Sequence, residues 1–371
     1  MGQSIDRITL RGFKSIRELN DFPSRNLNIL IGANGAGKSN FVDFFRLLRS
    51  MADQCLQRFV VERGGADDFF FMGPKCTQRI SARLEFGKHV YEFDLTPTGS
   101  SDLMIAQEYT RHSDDSTMYA VSRGTRESEL LKVCHDRESH VAQILDAAGL
   151  NIYESVSTWV VYHFHDTTML APMRRIGSVR DNEYLRSDGA NLAAFLLTLR
   201  DQHQSTYRRI RDAVRLAAPF LDDFKFRPRQ FNGDTKLLLE WTQKGSDYPF
   251  HVNHLSDGTL RFVALTTALL QPNPPTTILL DEPELGLHPY ALNLLAALLK
   301  KAAMKTQVIV STQSASLLDN FVAEDIIVVE RKDGASTLER PSSEKLQEWL
   351  QHYSLGELWE KNVFGGNPSN G

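Results

Sequence analysis

The chain has 371 residues, of which 42% are hydrophobic and 24% charged, and its formal net charge is -4. This length and composition predict a globular protein with a substantial core, built as one large domain or two modest ones. The negative charge excludes a globally basic surface, so contact with nucleic acid would need a local basic patch or a partner.

Cysteine usage and apolar patterning indicate the compartment. Cys55, Cys76 and Cys134 form no CxxC pair and are odd in number, which favours reduced thiols over a disulfide framework or a zinc site. No apolar stretch approaches the roughly 18 residues of a membrane helix, and "MGQSIDRITL" lacks the apolar core of a signal peptide. We therefore expect a cytoplasmic protein without membrane contact.

The predicted elements of residues 1–95 are mostly strands. "IDRITLRGFKSIREL" alternates apolar and polar residues and predicts strands around a turn at Gly12. "LNILI" predicts a buried strand, and "SNFVDFFRLLRSM" has helical spacing of its apolar residues, which are Phe41, Phe44, Phe45 and Leu48. "RISARLEF" and "VYEFDLTP" predict an antiparallel hairpin joined through Gly87. This region therefore combines a strand, loop and helix with an antiparallel β-subdomain.

Residues 96–249 are less regular. The stretch from Thr96 to Gly124 predicts strand edges and loops, "STWVVYHFHD" a strand, and "NLAAFLLTLRDQ" and "TYRRIRDAVRLAAPF" two amphipathic helices. Sustained heptads and a CxxC hook are absent between Lys38 and Ser256. We expect a compact helical lid that is integral to the rest, and no long coiled coil.

Residues 250–371 return to a regular order. A helix is followed by the strand "TTILLDEPE", the helix "YALNLLAALLKKAA", the strand "TQVIVST", another helix and the strand "DIIVVE". This alternation predicts a parallel sheet with flanking helices, and together with the N-terminal strands an α/β fold with a mixed sheet.

The strongest motif is "GANGAGKSN", which follows a predicted strand and precedes a predicted helix. Its spacing matches GxxxxGK[ST], the phosphate-binding P-loop. Backbone N–H groups cradle phosphate, the Lys38 ammonium bridges the β and γ oxygens, and the Ser39 hydroxyl is a ligand for Mg²⁺. The predicted nucleotide contacts are Gly32, Ala33, Asn34, Gly35, Ala36, Gly37, Lys38, Ser39 and Asn40.

A second motif is "TILLDEPELGLHP", an apolar strand that ends in two acids. Acids at the carboxyl end of such a strand lie beside the P-loop. Asp281 is therefore predicted to hold Mg²⁺ through water, and Glu282 to polarise the attacking water. Taken alone, the two acids could instead cap the following helix.

The third motif is "HLSDGTLRF", which resembles the LSGGQ signature of ABC-type ATPases. A hydroxyl and a glycine amide at a helix N-terminus suit a γ-phosphate, so Ser256, Asp257 and Gly258 are candidate nucleotide contacts. In that superfamily the signature reaches the nucleotide of the opposite subunit. The resemblance therefore implies a homodimer with two ATP molecules sandwiched between its subunits.

Together with "LRGFKSI", "VIVSTQS" and the ending "SLGELWEKNVFGGNP", these motifs resemble the RecF, SMC and overcoming-lysogenization-defect branch of ABC ATPases. The resemblance implies a P-loop NTPase of the ABC head type that uses ATP and Mg²⁺. Relatives commonly carry a switch histidine where this chain has Gln313, whose amide can donate to a γ-phosphate but carries no charge. We therefore expect slow hydrolysis. Gln54 and Gln78 are both candidates for the glutamine loop, and neither has a convincing context.

Several residues have two interpretations. His163 and His165 are predicted on one strand face, as metal ligands or as outward polar residues. Arg11 and Lys14 could contact nucleotide or DNA, or belong to a solvated strand edge. His288 could brace the catalytic loop or cap a helix. "MRRIGSVRDNEYLR" and "YRRIRDAVR" could form a positive face for nucleic acid, or be solvated surface.

The resemblance leaves two functions open. One is a dimeric ATP-driven switch or sensor that controls a separately encoded effector, such as a Toprim-type nuclease, in bacterial antiviral defence. The other is a RecF-like clamp that binds DNA in repair or maintenance. A Toprim domain within this chain is not expected, because about 40 residues follow "IIVVERKDG" and an α/β unit needs more; Glu330 is interpreted as part of the last sheet strand. A transporter ATPase is disfavoured by "LRGFKSI" and by the ending.

Overall fold

The computed structural model describes residues 2–112, 118–135 and 142–366. The strands in this part of the chain are β1 (Arg7–Phe13), β2 (Ile16–Pro23), β3 (Leu27–Ile31), β4 (Ile80–Phe86), β5 (His89–Pro97), β6 (Leu103–His112), β7 (Tyr119–Ser122), β8 (Val160–Tyr162), β9 (Gly177–Ser178), β10 (Leu221–Lys225), β11 (Arg229–Phe231), β12 (Asp234–Leu237), β13 (Glu240–Gln243), β14 (Pro249–His251), β15 (Thr277–Asp281), β16 (Gln307–Thr312), β17 (Ile326–Lys332) and β18 (Ala335–Glu339). The α-helices there are α1 (Lys38–Ala52), α2 (Leu56–Glu62), α3 (Leu130–His135), α4 (Ala142–Val156), α5 (Leu192–Gln202), α6 (Gln204–Ala217), α7 (Asp257–Leu270), α8 (Pro289–Ala303), α9 (Ala315–Leu318), α10 (Ser343–Leu346) and α11 (Leu355–Glu360).

The central sheet has the strand order β18-β17-β3-β16-β15-β8. Strand β3 runs parallel to β16 and β17, β15 runs parallel to β16 and β8, and β18 is antiparallel to β17. This confirms the predicted mixed sheet and places Glu330 in β17. Because the carboxyl ends of parallel strands meet at one edge, the segments after β3, β8, β15 and β16 meet there.

Burial of both faces of the central sheet explains its apolar strands. All five residues of β3 are buried. Ile29 and Ile31 belong to a core cluster shared with α5, α6, α7 and α8, whereas Leu30 belongs to a second cluster on the other face. The second cluster contains the apolar residues predicted for α1, and that prediction is confirmed. The strand is buried along its whole length because each face of the sheet packs against helices or a second sheet.

The second sheet is antiparallel, in the order β2-β1-β4-β5-β6-β7. The hairpin of β4 and β5 around Gly87 is confirmed. The predicted turn at Gly12 is wrong, because Gly12 lies inside β1 and the chain turns at Lys14 and Ser15. Gly12 has φ 75°, and a Cβ there would lie 2.6 Å from the carbonyl oxygen of Arg79. This glycine therefore serves a close approach of two backbones instead of a turn.

The segment 96–249 contributes to several layers. Strands β6 and β7 extend the antiparallel sheet, β8 forms an outer strand of the central sheet, and the two predicted helices are observed as α5 and α6. Two small sheets have the orders β10-β13-β14 and β11-β12-β9. Cys55 and Cys76 are free thiols, and the side chain of Cys134 lies outside the described part. None of the described helices is long and apolar enough to cross a membrane.

Candidate nucleotide-binding site

The P-loop residues connect β3 to α1, and Lys38 is the first residue of that helix. The Lys38 side chain folds back over the loop, where its Nζ donates to the carbonyl oxygens of Gly32 at 2.5 Å and Ala33 at 3.1 Å. Only 5% of Lys38 is exposed. Its ammonium group therefore lies inside the curve that the loop makes before the helix starts.

Two serines outside the motif brace the P-loop. Ser336 Oγ, from β18, lies 2.5 Å from the carbonyl oxygen of Ala36 and 2.7 Å from Ser15 Oγ. Asn40 donates to the same Ser15 oxygen at 2.7 Å. Gly37 has φ 115°, and a Cβ there would clash with Ser336 Oγ. Glycine is therefore required at this position by both backbone conformation and space. Nothing in the motif predicts the two serines, which come from the turn between β1 and β2 and from β18.

The acids at the carboxyl end of β15 meet residues at the carboxyl end of β16. Asp281 Oδ1 accepts from Ser311 Oγ at 2.6 Å, and the Glu282 N–H donates to the Ser311 carbonyl oxygen at 2.8 Å. The Gln313 amide donates to Glu282 Oε1. Glu282 itself has φ 42°, an uncommon conformation for a non-glycine residue. The structure thus brings Asp281, Glu282 and Gln313 together.

The alternative role of these acids as helix caps is not observed. The N-cap of α8 is His288, whose Nδ1 accepts from the Tyr290 N–H at 3.3 Å. His288 is therefore a capping residue, the second of its two interpretations.

The negative charges of these acids act on the ammonium group of Lys38, the P-loop lysine. Burial lowers the pKa of Lys38, and the negative charges of Glu282, Asp281 and Glu284 oppose that shift without cancelling it. A buried ammonium group in this state gains from any further anion placed near it. Phosphate oxygens would supply such an anion.

Glu284 belongs to the same cluster. Its Oε1 accepts from Thr312 Oγ1 at 2.6 Å and from the Gln313 N–H at 3.0 Å, whereas its buried Oε2 has no hydrogen-bond partner. Burial raises the pKa of this carboxyl group. Glu284, the third acid of "DEPE", thus fixes the backbone of Gln313. Its position two residues after Glu282 is the sequence feature from which its place in the site could have been inferred.

His163 and His165 lie beyond the strand on which they were predicted, because β8 ends at Tyr162. His165 Nε2 donates to the carbonyl oxygen of Asp281 at 2.6 Å, so this loop joins the site. His163 Nδ1 lies 3.1 Å from an Arg46 guanidinium nitrogen, and burial, reinforced by Arg46, lowers the pKa of His163 to about 4. The described residues contain no group of three or more His, Cys, Asp or Glu that could hold a metal.

The glutamines considered for the glutamine loop lie elsewhere. Gln54 follows α1 and donates to the carbonyl oxygen of Ser128 at 3.2 Å, and Gln78 is exposed just before β4. The segment after β8 carries His165 at the edge where the P-loop and the β15 acids lie. Neither glutamine lies at this edge of the sheet, and the glutamine loop stays unassigned.

The signature residues form the start of α7. Ser256 is the N-cap, and its Oγ accepts from the Thr259 N–H at 3.2 Å. Ser256 and Asp257 are exposed. A Cβ on Gly258 would clash with the carbonyl oxygen of Gly286, in the loop after the β15 acids. Gly258 therefore allows α7 to pack directly on that loop.

Buried arginines hold the signature turn in place, and sequence reasoning missed both. Arg174 was placed in a candidate positive face; this is wrong, because the residue is only 5% exposed. It donates to Asp257 Oδ1 at 2.8 Å and to three backbone carbonyl oxygens, which belong to Thr167, Val252 and Leu255. Arg261, from α7, donates to the carbonyl oxygens of Phe164 at 2.9 Å and His165 at 3.0 Å. These bonds connect the signature helix to the loop after β8.

The basic residues of "LRGFKSI" are engaged within the fold. Lys14 Nζ lies 2.5 Å from Asp43 Oδ2, with 15% of its side chain exposed. Arg11 is exposed and pairs with Glu18 at 3.2 Å, as expected for a solvated strand edge.

The residues present fit a nucleotide with magnesium. The buried Lys38 ammonium and the N-terminus of α1 suit phosphate, and Glu284 Oε2 leaves a buried acceptor without a donor. Ser39 is exposed at the helix N-terminus, and a hydroxyl together with the Asp281 carboxylate is a donor set that Mg²⁺ accepts.

Comparisons with known proteins identify chains of similar fold and a family. The chain resembles a crystal structure described as "Crystal structure of the SmcHead bound to the C-winged helix domain of ScpA", with TM-score 0.55 and 18% identity over 93% of this chain and 99% of that one. A second structure, "the Smc head domain with an extended coiled coil bound to the C-terminal domain of ScpA derived from Pyrococcus furiosus", matches with TM-score 0.54 and 18% identity over 94% and 98%. No curated protein matches the chain.

The chain therefore shares the fold of the Smc head domains. Residues 27–319 match the model of the family described as "AAA domain, putative AbiEii toxin, Type IV TA system", and the chain belongs to that family.

Proposed function

We propose that the protein is an ATP-hydrolysing switch that dimerises around ATP and controls a separate effector protein, with a nuclease as the favoured effector, in antiviral defence. The observation that carries the proposal is the outward position of the signature. Ser256 and Asp257 are exposed, while their backbone is fixed by Arg174 and by packing against Gly286. A rigid polar turn facing outward suits binding to a second molecule better than a role within its own chain.

The residues around the P-loop have distinct proposed roles. Lys38 and the loop amides bind the β and γ phosphates, and Ser39 and Asp281 hold Mg²⁺. Bound magnesium neutralises charge on the phosphates. Glu282 accepts the proton of the attacking water. Since the Gln313 amide donates to Glu282, it lowers the availability of that carboxylate, and we expect slow turnover.

Two comparisons support a partner. The similar SMC heads are described as bound to domains of ScpA, so heads of this fold bind other proteins. The family description names a putative toxin of a Type IV TA system, and a toxin–antitoxin system has two components. A separately encoded second component is consistent with both comparisons.

A DNA-binding clamp is the second candidate, and one feature favours it. A cavity of about 800 Å³ lies between α1, α2 and β8, apart from the P-loop. Four arginines line it: Arg46, Arg49, Arg58 and Arg63. Each has an acidic partner, in Asp43, Asp53 or Glu62, which reduces the net positive charge. The predicted positive helix α6 likewise pairs Arg211 and Arg215 with aspartates.

A pull-down of the tagged protein from its native host, with and without ATP, tests the proposal. We expect a protein partner whose capture depends on ATP and is lost in Lys38→Ala. Salt-sensitive binding of the purified protein to DNA, with no protein partner captured, would favour the clamp instead.

A further inference from the structure

The residues that follow the family-matched region include a segment that returns to the nucleotide site. We call residues 355–366 the C-terminal strap: helix α11 and the six residues after it. Leu355 and Leu358 are buried in the same core cluster as Leu317 and Leu318 of α9. The strap is therefore an ordered part of the fold in the described structure.

The first end of the strap docks on the switch segment. Helix α9 begins two residues after Gln313. The Gly356 N–H donates to Asp319 Oδ1 at 2.7 Å, and a Cβ on Gly356 would lie 2.5 Å from the carbonyl oxygen of Ala315. Helix α11 can approach α9 this closely only because residue 356 has no side chain.

The other end of the strap reaches the P-loop. The Gly366 N–H donates to Glu330 Oε1 at 2.7 Å, at the end of β17. A Cβ on Gly366 would lie 3.6 Å from the Cα of Gly32, the first P-loop residue. Gly365 and Gly366 have φ 86° and 90°, so the chain can turn here against Glu330.

The strap therefore lies against two parts of the proposed nucleotide site, the Gln313 segment and the start of the P-loop. At one end it holds the helix behind Gln313, whose amide donates to Glu282. At the other end it bonds to Glu330 and lies beside Gly32, the first residue of the loop that encloses Lys38. Both ends depend on a glycine without room for a side chain, since a Cβ on Gly356 would clash with the carbonyl oxygen of Ala315 and a Cβ on Gly365 with Glu330 Oε1.

We propose that the C-terminal strap is a positioning element of the nucleotide site, which fixes the Gln313 segment relative to the P-loop. The inference rests on the proposed nucleotide function. The inference predicts that ordering of the strap and binding of nucleotide are coupled. Both would stabilise the same spacing between the Gln313 segment and the P-loop. A purely structural strap would add stability without responding to nucleotide.

Hydrogen exchange of the wild type, with and without ATP and Mg²⁺, gives the first test. We expect ATP to slow exchange both in residues 32–40 and in the strap. ATP that protects the P-loop and leaves the strap unchanged would overturn this inference alone. A wild type that binds no ATP would overturn both this inference and the proposed function.

Variants give the second test. Gly356→Ala should weaken ATP binding about tenfold, comparable to the loss of one good hydrogen-bonded contact, and abolish the response of the strap. Gly99→Ala is the matched control, because a Cβ there meets nothing within 4 Å. If Gly356→Ala does not fold, Glu330→Ala tests the other end, and Glu330→Gln should restore affinity by keeping the acceptor for Gly366. Wild-type affinity in both Gly356→Ala and Glu330→Ala, with only a lower melting temperature, would mean a merely structural strap.

Discussion

The P-loop and the signature turn are supported by their own chain to different extents. Around the P-loop, Lys38 is buried and its ammonium group has partners, and the loop is braced by Ser336 of β18 and by Ser15 in the turn between β1 and β2. At the signature, the buried Arg174 donates hydrogen bonds to the backbone, while Ser256 and Asp257 are exposed. The contrast supports the proposal that one chain supplies a phosphate site and, separately, an exposed turn that completes such a site in another chain.

The largest effect is expected at Glu282, which lies beside the P-loop. Glu282→Gln should preserve binding of ATP and Mg²⁺ and reduce hydrolysis by about a hundredfold to ten-thousandfold, the usual cost of losing a general base. Single-turnover hydrolysis beside ATP titration measures both quantities. Asp281→Asn should weaken binding as well as hydrolysis, because it alters the proposed metal site. Undiminished hydrolysis in Glu282→Gln would direct attention to Glu284.

A smaller but still large effect is expected at Lys38. Lys38→Ala should weaken ATP binding by about a hundredfold, since a buried ammonium makes charge-assisted hydrogen bonds to phosphate. Titration with labelled ATP measures the loss. Lys75→Ala, at an exposed position, is the control and should bind as the wild type does. Equal affinity in Lys38→Ala and the control would contradict the P-loop assignment.

The signature turn should respond differently when the buried arginine that holds its backbone is removed. Arg174→Ala should lower the free energy of unfolding by about 2–3 kcal/mol, because three buried carbonyl oxygens lose a donor. It should also weaken ATP-dependent dimerisation while leaving ATP binding by the monomer within about threefold of the wild-type value. Thermal unfolding and sedimentation measure these effects. Arg175→Ala, its exposed neighbour, is the control, and matching behaviour of the two variants would remove Arg174 from this role.

Local patterns predicted the P-loop, the acids after β15, the helix at "HLSDGTLRF" and the parallel sheet, because each depends on residues close in sequence. The clustering of Asp281, Glu282 and Gln313 also followed, since parallel strands end at a common edge.

The supports of the site could not be predicted in this way. Ser336 reaches Ala36 across 300 positions, and Arg174 reaches Leu255 across 81, through contacts that only the folded chain creates. Arg174 was misassigned because a basic run in sequence usually indicates solvated surface. The strand predicted for His163 and His165 extended four residues past the end of β8 at Tyr162, which hid the loop that meets Asp281.

The central claim is that the signature of one chain completes the P-loop site of another. Sedimentation velocity of Glu282→Gln with ATP and Mg²⁺ tests it most directly, when compared with the same variant carrying Ser256→Arg. The single variant should sediment as a dimer, and the double variant as a monomer that still binds ATP, because arginine blocks close approach to phosphate. Glu282→Gln with Ser246→Arg, a substitution at another exposed serine, should remain dimeric. An ATP-dependent dimer that persists unchanged in Glu282→Gln with Ser256→Arg would contradict the account.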